Sequence, residues 1–376
     1  MYKKSSCFKP RFTALLCAGL LGAVSSVFAA PAESATPAPL VLQSQGSFTV
    51  GGGTLQNAGE FSRSRFLAPD GQVAYGDHAY VFYQIPADRR GPAIVFQHGG
   101  AQTKRTWEST LDGREGFQNL FLRMGHPVYL LDQPRMGEAG LSLKAAGEGN
   151  PYAKNPLFAD KTLHELCRIG VWPNRFANSQ FPEGEAALDA FQRSWTPYSG
   201  ELDDEVNADA LGALFERIGP SVLFTHSMGG TIGWRVPTRT ENVLAIVAYE
   251  PGGSPFLFPE GEVPEVSKAV YEPVSAATKA VPLKDFEKLT KMPILLLYGD
   301  NIAEKPSNEV GPDKWRSELD MAKKFVAAVN RHGGKAELIH LPDIGIRGNT
   351  HFLMSDLNNK EIAELVGKWL RDKKLM

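Results

Sequence analysis

From residue 93 onward, short uninterrupted apolar runs alternate with longer mixed segments. The runs are 93–97, 128–132, 222–226, 244–250, 294–300 and 336–341. Runs this short, with no polar face, suit strands buried on both sides. Segments 115–123, 203–218, 228–235, 322–331 and 360–373 are placed as helices between and after them. The order predicts an α/β architecture, with a mostly parallel central sheet covered by helices on both faces. Upstream, residues 48–84 read as strand-like with glycine breaks, and include His78-Ala79-Tyr80-Val81-Phe82-Tyr83. No internal repeat is present.

Two stretches, about 140–200 and 251–291, interrupt the alternation and are rich in Pro, Gly and aromatic residues. Long excursions from a compact α/β core commonly serve as lids or substrate walls. Tyr152, Phe158, Trp172, Phe176, Phe181, Phe191 and Trp195 in the first, and Phe256 and Phe258 in the second, supply either the wall of an apolar pocket or an insertion's own small core. The N-terminus reads differently. Lys3, Lys4, Lys9 and Arg11 precede an apolar run at 12–24, and Val27-Phe28-Ala29 offers a cleavage site after Ala29. This predicts a signal peptide over 1–29. The competing reading, an uncleaved anchor, suits the run poorly, because Gly19, Gly22, Ser25 and Ser26 interrupt it and it is short for a membrane span. Leu16 before Cys17 does not suit a lipoprotein site. Residues 30–44, rich in Ala, Pro and Ser, read as a linker, and 45–376 as the folded domain with its two insertions. The expected product is exported, periplasmic or extracellular, with no membrane span once processed.

Composition narrows the partners. The chain is 43% hydrophobic and 22% charged, with a formal net charge of −2 and no basic stripe, which argues against nucleic acid or an anionic membrane surface. Of three cysteines, Cys7 and Cys17 fall in the expected signal peptide, so Cys167 is left alone and reads as a packing residue. No histidine pair has convincing metal-ligand spacing, so neither metal nor cofactor is expected.

The chemistry concentrates in three segments. In 222–230 an apolar strand runs into Thr225-His226-Ser227-Met228-Gly229-Gly230, and small residues follow as a helix begins. This is the strand–serine–helix turn that lifts a nucleophile above a sheet. Thr225 stands where the usual pattern has a glycine, which requires room on the opposing helix. His226 reads as packing, because neighbours on a turn point apart. Ile94-Val95-Phe96-Gln97-His98-Gly99-Gly100-Ala101 carries a second strand into a glycine loop. Acyl transfer creates an oxyanion that needs fixed N–H donors. Gly100 and Met228 are the expected donors, with Ala101 as the neighbouring alternative. His351, in Gly348-Asn349-Thr350-His351-Phe352, is the best-placed base of eight histidines, after the last strand and before the final helix. The carboxylate that orients it is Glu250 or Asp300, each at a strand end; both give the chain order serine, acid, histidine.

Together these residues resemble the α/β-hydrolase superfamily from about Phe48 to the end. His98-Gly99-Gly100, Thr106-Trp107-Glu108, Asp112-Gly113-Arg114, Gly116-Phe117, Phe121-Leu122 and Asp132-Gln133 are similar to a group of exported bacterial carboxylesterases. In that group the acid is a glutamate on the strand after the nucleophile. The resemblance therefore implies Ser227, His351 and Glu250 as triad, Gly100 and Met228 as oxyanion donors, and an acyl-enzyme route for a small-molecule ester with apolar or aromatic groups. The sequence departs from the group at Thr225 and in a longer segment before His351. Lactone opening and carbon–carbon cleavage use the same triad, and a non-catalytic binding protein on this scaffold is the remaining alternative.

Overall fold

The computed structural model describes residues 38–143, 159–196 and 198–376. The expected signal peptide with Cys7 and Cys17, most of the expected linker, and Tyr152 and Phe158 lie outside the described residues. In the unit Leu40–Met376, β1 (Leu42–Gln56) and β2 (Val73–Pro86) form a long antiparallel hairpin. β1 begins at Leu42, inside the stretch expected as linker. β3 (Ala93–Gln97) and β4 (Val128–Asp132) are joined through α1 (Arg105–Glu108) and α2 (Phe117–Arg123). The first insertion holds α3 (Asp160–Leu166), the two-residue strands β5 (Gly170–Val171) and β6 (Asn174–Arg175), and α4 (Glu185–Gln192). Then come α5 (Asp204–Ile218), β7 (Ser221–His226), α6 (Gly229–Arg235) and β8 (Val243–Tyr249). The second insertion pairs β9 (Phe256–Pro259) with β10 (Thr278–Val281) and ends in α7 (Leu283–Phe286). β11 (Pro293–Tyr298), α8 (Val310–Arg331), β12 (Lys335–His340) and α9 (Asn359–Asp372) complete the chain.

The main sheet has the order β1-β2-β4-β3-β7-β8-β11-β12. The six strands β4, β3, β7, β8, β11 and β12 pair in parallel, and only the β1–β2 and β2–β4 pairings are antiparallel. Alternate residues of one strand feed opposite faces. Leu223, Ile246 and Leu296 pack with α5, α6 and α8, whereas Val222, Phe224, Val247 and Leu297 pack with α2 and α9. Continuous apolar runs are needed because both faces are covered.

Several boundaries differ from the sequence reading. The fourth and fifth apolar runs end at Tyr249 and Tyr298, which leaves Glu250 and Asp300 beyond the strands. α8 starts at Val310 rather than at residue 322. Its first half hides the helical pattern because it buries charge, with Asp313 and Glu318 nearly inaccessible beside Trp315. Pro312 lies in the first turn, where its missing N–H costs nothing. Among the described residues no helix is long and apolar enough to cross a membrane.

Candidate active site

β7 is buried throughout, and the chain breaks from it at Ser227, which is partly exposed and takes a left-handed φ of 52°. The turn is held by Ser227 N–H donating to Tyr249 O (3.0 Å) and Gly230 N–H donating to Ser227 O (3.0 Å). Crowding explains the small residues that follow. A Cβ on Gly229 would stand 2.7 Å from His98 O. The non-glycine residue at 225 is accommodated from the opposite side. Gly233 of α6 faces it, and a Cβ there would lie 2.8 Å from the Thr225 methyl. Thr225 and Gly233 have exchanged the space that a glycine at 225 would otherwise leave.

The loop after β3 is fixed by His98. Its ring is buried, and its Nδ1–H donates to Gly99 O (2.8 Å) while Nε2 accepts from Gln133 N–H (3.2 Å). The Gln133 side chain donates to His98 O as well (2.9 Å). Burial lowers the His98 pKa, so the ring is the neutral Nδ1–H form that these contacts require. Ala101, at φ 52°, spends its N–H on the Tyr198 hydroxyl (3.3 Å). Among the described residues the N–H groups of Gly100 and Met228 have no protein acceptor, and both residues line the same cavity as Ser227.

His351 is held on every side. Its Nδ1–H donates to Glu250 Oε2 (3.1 Å), its N–H donates to Cys167 O (3.0 Å), and its carbonyl accepts from His226 Nε2–H (2.9 Å). The ring lies against Trp315 (centroids 4.2 Å apart, 34° between planes) and His226 (4.4 Å, 38°). Glu250 is fully buried at φ 48° directly after β8. Its other oxygen, Oε1, accepts from Gly299 N–H (2.5 Å) and Arg168 Nη2 (2.5 Å). Burial alone would raise this carboxyl. The Arg168 charge, then the hydrogen bond and charge of His351, outweigh it and hold Glu250 at about 2. Burial pushes His351 down to about 4, against the pull of Glu250. At neutral pH the pair is therefore carboxylate and neutral imidazole, with Nε2 carrying the lone pair.

Asp300 makes no hydrogen bond or ion pair with His351 among the described residues. Its Oδ2 accepts from Asn178 Nδ2 (2.9 Å) and Gly348 N–H (2.8 Å), and Oδ1 accepts from Asn301 N–H (2.7 Å). It ties down the loop that carries the histidine. Asp356 does the same from the other end, accepting from Thr350 N–H, Thr350 Oγ1 and Asn349 Nδ2. Arg114 clamps the continuation, donating to Ser355 O, Asp356 O, Leu357 O and Asn359 Oδ1. The Asp112-Gly113-Arg114 segment thus braces the turn beyond His351.

Residues 94–372 match the sequence profile of the alpha/beta hydrolase family. The chain belongs to that family. A curated relative named "Probable secreted lipase phiG", from Fungal sp. (strain ATCC 74256), is 30% identical over 326 residues, covering 78% of this chain and 85% of its own. A solved structure described as a novel bacterial esterase superposes with a TM-score of 0.71 at 29% identity, covering 90% of this chain and 98% of that one.

The cavity of this hydrolase, about 540 Å³, is lined mainly by apolar groups. Its aromatic walls are Trp195, Tyr198, Trp315 and Phe352. Of the seven described aromatic residues among those expected as pocket wall or insertion core, only Trp195 lines it. Phe181 and Phe191 pack on each other, and Phe191 on Phe352. Phe256 and Phe258 pack on Phe325 of α8. Trp172 and Phe176 lie elsewhere, and Trp172 meets His164. Phe256 and Phe258 are buried in the core on one face of the sheet and Phe181 and Phe191 in the core on the other, where burial removes more apolar surface from water than a pocket wall does, whereas Trp172 and Phe176 stay half-buried. Cys167 lines the cavity, and burial pushes its thiol up to about 12, which leaves it a neutral packing group. Among the described residues no group of three or more His, Cys, Asp or Glu could hold a metal ion.

The sequence reading missed two residues. Arg168 is fully buried with its guanidinium on Glu250. The available signal was a lone cation in the otherwise uncharged Leu166-Cys167-Arg168-Ile169-Gly170. His226 read as packing, yet its Nε2–H fixes the His351 carbonyl; no local sequence pattern announces that contact.

Proposed function

We propose that this hydrolase cleaves carboxylic esters of apolar or aromatic small molecules through an acyl-enzyme on Ser227. The observation that carries the reading is the 3.1 Å bond from His351 Nδ1–H to Glu250, with His351, Ser227 and two N–H groups without protein acceptors on one apolar cavity. His351 Nε2 takes the Ser227 hydroxyl proton as Oγ attacks the ester carbonyl. Gly100 and Met228 N–H receive the oxyanion. The imidazolium, stabilised by Glu250, returns its proton to the leaving alcohol. Water, deprotonated by His351, then releases the carboxylic acid and restores Ser227. The likeness to a protein named as a lipase and to one described as an esterase supports the ester bond as target. The charge-flanked apolar run at 12–24, together with the word "secreted" in that relative's name, supports export to the periplasm or beyond.

The test is a panel of aryl esters and lactones on the wild type and Ser227→Ala, with fluorophosphonate labelling. The expected result is ester turnover that falls about 10⁴-fold or more in Ser227→Ala, with labelling lost. Labelling that persists in that variant removes Ser227 from the role. Turnover of lactones alone replaces the substrate class.

A further inference from the structure

The contact on Glu250 that comes from the first insertion is the informative one. Arg168 follows α3 in the first insertion, fully buried, at a left-handed φ of 55°. Its Nη2 donates to Glu250 Oε1 (2.5 Å) and its Nε to the Asp300 carbonyl (2.8 Å). Its guanidinium lies 5.1 Å from the Trp315 ring centre, and Trp315 is the residue stacked on His351. The preceding residue, Cys167, accepts the His351 N–H. One short segment of the insertion therefore touches both the acid and the base. A buried ion pair is a weak source of stability compared with apolar packing of the same volume, so stability alone gives little reason for this one.

We propose that Arg168 is a positioning residue for Glu250 and His351. It pins Oε1 so that Oε2 stays on His351 Nδ1, and its charge keeps the pair free of an extra proton. The inference rests on the triad reading above. The other charged or titratable groups around the pair do not duplicate Arg168. Lys314 of α8 also helps hold His351 down through its charge, but it pairs with Glu318 (2.8 Å) and gives Glu250 no hydrogen bond. His226 of β7 is kept neutral by burial, and so is the Cys167 thiol. The Asp300 carboxylate faces Asn178 and Gly348, and Asp356 faces Thr350 and Asn349. The Tyr298 hydroxyl donates to Pro251 O. Removing the guanidinium makes a proton easier to add to the Glu250–His351 pair, whichever site takes it. The acid limb of activity must then move to higher pH.

The experiment compares Arg168→Met and Arg168→Lys in the full chain, alone and with Glu250→Gln, by kcat, KM and pH profile on one aryl ester. Arg168→Met is expected to lower kcat about 10- to 100-fold, the loss typical of partners that orient a reacting group's ligand. KM should change less than about threefold, and the acid limb should rise by about one pH unit. Arg168→Lys keeps the charge but loses the fork, so it should lose kcat with the limb nearly in place. In the Glu250→Gln background Arg168→Met should cost less than about threefold, because its route is already cut. Unchanged kcat and limb in Arg168→Met overturn the proposal, as does a full additional loss on top of Glu250→Gln. Should Arg168→Met fold poorly, the pH dependence of fluorophosphonate labelling reads the limb on folded molecules alone, and an unshifted limb there also overturns it. Activity surviving in Ser227→Ala defeats the triad reading itself; a dead Ser227→Ala with an indifferent Arg168→Met defeats only the role of Arg168.

Discussion

His351 owes its geometry to contacts from four parts of the chain, at Cys167, His226, Glu250 and Trp315, and the two competing carboxylates contribute very differently. Glu250 receives the Nδ1–H directly, whereas Asp300 braces the backbone at Gly348. Glu250→Gln should therefore lower kcat about 10²- to 10⁴-fold, since an amide cannot stabilise the imidazolium. Asp300→Asn should act on stability, costing about 1–3 kcal/mol of unfolding free energy as a charged acceptor is lost, with kcat falling less than about tenfold. Steady-state kinetics and chemical denaturation on the two variants separate these outcomes; the reverse pattern would exchange their roles. The pH sign follows from His351. Burial depresses it to about 4, so activity should hold through mildly acidic pH and fall as pH drops through that value. A kcat/KM profile with its acid limb near neutrality would contradict this.

The turn at Ser227 fits because β7 and α6 are matched to each other. Thr225 places a methyl where α6 passes, and Gly233 leaves the gap. Replacing a helical glycine by alanine ordinarily stabilises by about 1 kcal/mol. Here the new Cβ would meet the Thr225 methyl at 2.8 Å, and overpacking costs about 1–3 kcal/mol. Gly233→Ala should therefore destabilise. In a Thr225→Ala background the nearest atom of residue 225 is its Cβ, at 3.8 Å, and the same change should stabilise. Denaturation midpoints of the four proteins show whether the sign reverses. Left-handed φ values at Ala101, Arg168, Ser227 and Glu250 gather at this one end of the sheet. Each costs about 1–3 kcal/mol, and each lies where a side chain or an N–H must be aimed against the run of its element.

Across the whole molecule, the ends of the sheet strands supply Ser227, Glu250 and the glycine loop after β3, while the insertions supply much of the cavity wall. Leu163, Leu166, Trp195 and Tyr198 come from the first insertion, and Pro273, Val274 and Ala277 from the second. Substrate size should therefore be tunable without disturbing the chemistry. Val274→Phe is expected to lower kcat/KM for long-chain esters about tenfold while leaving acetate esters within about threefold. An equal loss on both would place Val274 in the shared reaction path instead of the wall.

The buried strands, the helix layers on both faces and the segments bearing Ser227, His98 and His351 were legible in the chain, because strands buried on both faces must be continuously apolar and a serine at the end of one is conspicuous. The order of strands in the sheet was not legible, because an apolar run does not name its neighbours. The first half of α8 was not, because charges that are paired in three dimensions look solvent-facing in one. Physics alone left Glu250 and Asp300 equivalent along the sequence, since both follow parallel strands; resemblance favoured Glu250, and the tertiary structure brings only Glu250 to His351. The partner of Arg168 could be known only from the fold. Arg168 lies 82 residues from Glu250 along the chain, and a buried cation acquires its meaning from the anion that folding places beside it.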